Sequence, residues 1–141
     1  MKLRQIQYFF SQYQVGQLFK LERIFTLDDV KNYANLIQDF NPIHLDEQVA
    51  SQSIFKQRVV HGMLSASLFS TLVGTNFPGA IYLEQSIFFK APIFFEEQIL
   101  AQVAIQDIKL KKGRSILKLN TTITKMDQKI AVTGEATILI N

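Results

Sequence analysis

The sequence predicts an α+β domain in which a curved antiparallel sheet wraps around one buried helix. Two observations carry this. The run from Met63 to Val73 has no charge, and its only polar residues are Ser65, Ser67, Ser70 and Thr71. A helix apolar almost all round must be covered on most sides. From Ala80 onward the period changes to two, and successive segments are joined by short turns, which gives hairpins and an antiparallel sheet. Such a sheet has an exposed edge, so pairing with a second copy is expected.

The elements follow in order. Gln17 to Phe25 alternates as a strand, with Phe19, Leu21, Arg23 and Phe25 on one side. Thr26 is a good N-cap, and Asp28 and Asp29 suit the first turn of the next helix. Val30, Tyr33, Ala34 and Ile37 give that helix its apolar stripe, and it runs out near Asp39. Leu45 to Ser53 forms a short helix with Asp46 near its start. In the uncharged helix, serine hydroxyls bond back to the preceding turn, and Gly74 is the expected stop. Ile81 to Phe89 is strand-like. Pro92 confines Ile93-Phe94-Phe95 to an edge, bulge or turn. Ile99, Ala101, Val103 and Ile105 alternate, as do Leu117, Leu119, Thr121 and Ile123. Lys111-Lys112-Gly113-Arg114 is the hairpin between them, and Ile130 to Ile140 is the last strand.

At 141 residues the chain is one domain, assigned to residues 17–141, with residues 1–16 an unassigned extension. The net charge of +3 suits an anionic small molecule and is too weak and scattered for nucleic acid. With no cysteine there is no disulfide, thiolate nucleophile or cysteine-ligated metal, and two histidines make zinc improbable, so no metal is expected. No stretch reads as a secretion signal or membrane span, so the expected location is the cytoplasm.

The chemistry centres on Asp39-Phe40-Asn41-Pro42-Ile43-His44. Pro42 fixes its own φ and pushes Asn41 out of the helical region. Asp39 and His44 therefore flank a bend that can aim both side chains at one water, as a general acid–base pair. The ordinary alternative is a helix end and an Asx-turn beside a half-buried histidine.

With Leu45-Asp46, this stretch resembles the hydratase motif of MaoC-like, (R)-specific enoyl-CoA hydratases. Val60-His61-Gly62-Met63-Leu64 and Ala66-Ser67-Leu68-Phe69-Ser70 are similar to that family's central helix. Pro78-Gly79, Ile81-Tyr82-Leu83, Gln85-Ser86, Phe89-Lys90 and Pro92 continue the match, and Ala131-Val132-Thr133-Gly134-Glu135-Ala136 resembles its final strand. One departure stands out. Many members carry a small residue and glycine before the aspartate, where this chain has Ile37-Gln38.

The resemblance, closest to the small single-domain hydratases that supply polyhydroxyalkanoate synthesis, implies the hot-dog fold and a homodimer. It implies reversible hydration of trans-2-enoyl-CoA to the (R)-3-hydroxyacyl-CoA, serving polyhydroxyalkanoate or fatty-acid pathways. Asp39 and His44 then grip the water and handle its protons, and Gly62 at a helix start offers its N–H to the thioester oxygen. His61 is read as capping that helix or fixing the turn. Asn41, Leu64, Ser67, Ser70, Val73 and Ile138 are the candidate substrate-binding residues, the last five for an apolar acyl slot. Lys56, Arg58 and Lys90 are candidates for phosphate contacts. The thioester of CoA or acyl carrier protein is the substrate, so no cofactor is expected. Competing readings are a non-catalytic acyl-thioester binding module and an acyl-CoA thioesterase on the same fold.

Overall fold

The computed structural model describes residues 12–141. Most of the expected extension, residues 1–11, lies outside the described residues. The remainder belongs to the domain. Tyr13 is buried against Phe77, its hydroxyl donates to the Asn76 carbonyl at 2.9 Å, and the Gly16 amide donates to the Ile105 carbonyl.

Strand β1 (Leu18–Ile24) leads into helix α1 (Leu27–Ile37). Thr26 caps α1 through a reciprocal box: its hydroxyl accepts from the Asp29 amide, and the Asp29 carboxylate accepts from the Thr26 amide. The helix ends at Gln38, which is left-handed at φ 61°. Its side chain donates to the Asn35 carbonyl. This is the position where many family members carry glycine, and Gln38 adopts the glycine-like conformation despite its Cβ.

The expected helix from Leu45 to Ser53 is two short ones, α2 (Pro42–Leu45) and α3 (Glu47–Ser51). Pro42 starts α2 with its φ already helical, while the Asp46 carboxylate accepts from Gln48 and Val49 and starts α3 afresh. Helix α4 (Gly62–Asn76) runs past Gly74. Pro78 is the stop, because it disfavours a helical Phe77.

The sheet comprises β2 (Ile81–Gln85), β3 (Phe88–Phe89), β4 (Gln98–Lys111), β5 (Arg114–Lys125), β6 (Ile130–Ile140) and β1. Its order is β1-β4-β5-β6-β2, antiparallel throughout, with β3 also paired to β6. The expected strand from Ile81 to Phe89 breaks at Ser86-Ile87. Lys112 and Gly113 both have positive φ in the β4–β5 turn, as a tight hairpin needs. The alternation in β4 and β5 holds: Ile99, Ala101, Val103, Ile105, Leu117, Leu119, Thr121 and Ile123 all face the core.

The concave face covers α4, but only on one side. Ser65, Ala66, Leu68, Phe69, Leu72 and Val73 are buried, while Met63, Ser67, Ser70, Thr71 and Gly74 stay exposed. Absence of charge therefore overstated the burial of this helix within one chain. The serine back-bonds form as expected, from Ser65 to the Gly62 carbonyl and from Ser67 to the Leu64 carbonyl. No helix among the described residues is long and apolar enough to cross a membrane.

Candidate active site

Three segments meet at one cavity of about 530 Å3. The first is the bend after α1. There the Asp39 carboxylate accepts from the Asn41 amide at 3.1 Å, and the Asn41 side chain accepts from the Ile43 amide. The second is α2, which carries His44. The third is Val59-Val60-His61-Gly62, led into α4 by a bridge from Val59 to Phe94. Asp39, Asn41, His44, His61, Gly62 and Lys90 all line the cavity.

His44 is oriented by the main chain. Its Nδ1 lies 2.7 Å from the Val59 carbonyl. A carbonyl only accepts, so Nδ1 carries the proton and the neutral ring keeps its lone pair on Nε2. Burial, the largest influence, pushes the His44 pKa below 6.5; His61 adds to this, while the Val59 bond and Asp39 oppose it. His61 is only 2% exposed. Its ring stacks on His44 at 3.9 Å between centroids and meets Tyr33 edge-on at 5.1 Å. Its Nε2 lies 3.3 Å from the Asp39 main-chain carbonyl and 3.9 Å from the Asp39 carboxylate.

Donor atoms of Asp39, His44 and His61 lie within 4.8 Å of one another. A metal ion sits in the plane of each imidazole that binds it. Two rings face to face, 28° from parallel, share no such point.

Gly62 opens α4, ahead of the first bonded amides, which are Leu64 and Ser65 to the His61 carbonyl. Its own N–H has no partner within the helix. A Cβ here would lie 2.6 Å from Cε1 of Phe89, so the glycine also makes room for that ring. Phe89 is 54% exposed and lines the cavity.

The candidate acyl-slot residues Leu64, Ser67, Ser70, Val73 and Ile138 are not among the described residues that line this cavity. Val73 and Ile138 lie in the core, Leu64 packs against it, and Ser67 and Ser70 are exposed on the outer face of α4. The slot expectation followed the face of the helix, whereas the cavity opens at its N-terminus. The apolar wall comes instead from residues such as Ile37, Phe55, Val60, Ile93 and Val132. Of the phosphate candidates, Lys90 is at the cavity with its Nζ over the Phe88 ring, Arg58 lies over Phe95, and Lys56 is exposed. The structure adds Tyr33, the Val59 carbonyl and the Phe89 ring. A main-chain acceptor has no residue-type signal. Only the Phe89-Lys90 pair was visible, as part of the family resemblance.

The wall at Pro92-Ile93 is anchored from β5. Lys125, 9% exposed, donates to the Pro92 carbonyl at 2.8 Å, pairs with Glu97 at 3.0 Å and lies over the Phe94 ring. Removing the cation leaves Glu97 in a partly buried site. Lys125→Ala is expected to destabilise the fold by about 2–3 kcal/mol, below the range for fully buried pairs because Glu97 is partly solvated. Urea unfolding measures this. A change under about 0.5 kcal/mol would mean the pair contributes only as a surface pair does.

Residues 11–127 match the family described as MaoC like domain. The chain is 42% identical over 127 residues to an (R)-specific enoyl-CoA hydratase from Aeromonas caviae, covering 89% of this chain and 93% of that one. It is 39% identical over 127 residues to a mitochondrial 3-hydroxyacyl-[acyl-carrier-protein] dehydratase from Solanum lycopersicum, covering 90% and 77%. Among solved structures, the (R)-hydratase from A. caviae involved in PHA biosynthesis superposes with a TM-score of 0.84 at 40% identity. That superposition covers 92% of this chain and 98% of the other.

Proposed function

The chain belongs to the MaoC-like domain family, with the hot-dog fold of its hydratase relatives, and from this we propose that it reversibly hydrates a trans-2-enoyl thioester to the (R)-3-hydroxyacyl thioester. The observation that carries the reading is the convergence of Asp39, His44 and the Gly62 amide on one cavity. The water oxygen bonds to C3 of the enoyl group. The C2–C3 π electrons move onto the thioester, and the Gly62 N–H, helped by the α4 dipole, stabilises the oxygen that gains charge. His44 Nε2 takes a proton from the water, whose other hydrogen is held by the Asp39 carboxylate. The pair then returns a proton to C2. Both hydrogens and the oxygen of one water end up in the product, and nothing is oxidised. The thioester is the substrate, and the chemistry calls for no cofactor.

The apolar wall suits the acyl chain, and Lys90 at the cavity suits a phosphate of the carrier. The plant relative's name supports a second reading, dehydration of a 3-hydroxyacyl group on acyl carrier protein. The same residues run that reaction in reverse. We also propose a homodimer. Edge strand β2 exposes Ile81 and Leu83, and the uncharged outer stripe of α4 is open in one chain.

The test is loss of enoyl absorbance from crotonyl-CoA and longer enoyl-CoAs, with chiral analysis of the product and the acyl-carrier-protein thioester in parallel. An (S) product, or no turnover on either carrier, overturns the reading.

A pH profile tests the assigned proton acceptor. His44 titrates below its ordinary 6.5, so neutral Nε2 persists to mildly acidic pH. Protonation fills the lone pair. We expect the acid limb of kcat/KM to have its midpoint below pH 6.5. A kcat/KM that instead declines as pH rises from 6 to 8 would make the imidazolium the working form.

A further inference from the structure

His61 occupies the N-cap position of α4, yet its side chain makes no cap hydrogen bond. Its polar atoms point elsewhere. Nε2 meets the Asp39 carbonyl, and a carbonyl only accepts, so Nε2 carries the proton. Nδ1 is buried with no partner. An unpaired buried nitrogen costs free energy that an apolar side chain in the same space would not. Packing alone therefore gives no reason for an imidazole here.

Position does. Asp39, His44 and Gly62 come from three separate segments, and His61 touches each one. It bonds the main chain of Asp39, stacks on the ring of His44 and is covalently next to Gly62. Tyr33 from α1 backs its ring edge-on. On the hydratase reading above, we propose that His61 is a positioning residue. Its Nε2–H holds the Asp39 backbone and its ring face holds His44, so that the carboxylate and His44 Nε2 meet the same water. It need not touch the substrate to act. Reactive groups held loosely by even 1 Å lose much of their rate.

The experiment compares wild type with His61→Phe, which keeps a stacking ring and deletes both nitrogens. Steady-state kinetics use crotonyl-CoA and its acyl-carrier-protein thioester, with melting temperature read on the same samples. For His61→Phe we expect kcat to fall tenfold or more, KM to stay within twofold, and the melting temperature to be no lower than wild type. His61→Gln keeps an N–H donor without the ring and should retain more kcat than His61→Ala. If the Phe variant does not fold, the Gln and Ala pair decides by that order. An active wild type whose kcat is unchanged by His61→Phe overturns the inference alone, as does a kcat loss that merely tracks a lower melting temperature. A wild type inactive on both thioesters overturns the hydratase reading and the inference with it.

Discussion

Asp39→Asn and His44→Ala are each expected to lower kcat for crotonyl-CoA hydration by about a hundredfold or more, the scale of a lost general acid–base group. Asparagine keeps an oxygen to accept the Asn41 amide bond, so the loop should hold while the carboxylate charge is lost. Alanine at 44 removes the bond to the Val59 carbonyl as well as the base, so its melting temperature must be read beside its rate. The double variant should be scarcely slower than either single. Both groups act on one water, and once one is gone the other has nothing to cooperate with. KM should move little, because neither side chain is needed to seat the acyl chain or its carrier. Stopped-flow or steady-state absorbance at the enoyl band measures all three variants. Near-normal turnover in either single variant refutes the assigned roles.

How much of this was legible in the sequence varies with the physics involved. Local rules worked where one residue type answers one need. The Thr26 cap, the back-bonds of Ser65 and Ser67 in α4, the alternation of β4 and β5 and the hairpin within Lys111–Arg114 all formed as read. The bend that brings Asp39 to His44 was readable from Asn41-Pro42 because proline removes the helical option. What escaped is set by tertiary placement. Gly74 looks like a stop, but the helix continues until Pro78 intervenes. Gln38 takes a left-handed conformation that its residue type does not advertise. The outer stripe of α4 has no charge and still faces out. His61 reads as a helix cap or a residue that fixes the turn, and a sequence does not show which its nitrogens serve; it makes no cap bond, and its Nε2 meets the Asp39 carbonyl. The acyl slot was sought along one face of α4, and which part of that face meets a cavity depends on the sheet and loops packed around it.

Gly134→Ala is expected to be the most destabilising single-methyl change among the described glycines. A Cβ at this position would lie 1.9 Å from the Ser86 carbonyl oxygen and 2.7 Å from its carbon. Both are backbone atoms, so no rotamer change relieves the clash. At Gly62, by contrast, the nearest atom belongs to the Phe89 side chain, which can swing. Ser86 cannot withdraw freely. Its amide donates to the Glu135 carbonyl, and its hydroxyl accepts from the Glu135 amide. Pushing the bend between β2 and β3 off β6 would break this pair. It would also disturb Gln85, which donates to Thr121 and to the Ser86 carbonyl while accepting from Tyr82. Tyr82 is buried enough that its pKa is pushed up to about 12. The strain would reach the cavity too, since Phe89 pairs with Val132 just beyond the bend. Overpacking usually costs about 1–3 kcal/mol; with two backbone segments locked together we expect more than about 3 kcal/mol. Gly113→Ala is the comparison. Its glycine has positive φ, at 77°, and nothing lies within 4 Å, so only the left-handed conformation is penalised, by about 1–2 kcal/mol. Urea denaturation of the two variants side by side separates steric from conformational cost. A Gly134→Ala loss no larger than that of Gly113→Ala would show that the β2–β3 bend can move away from β6.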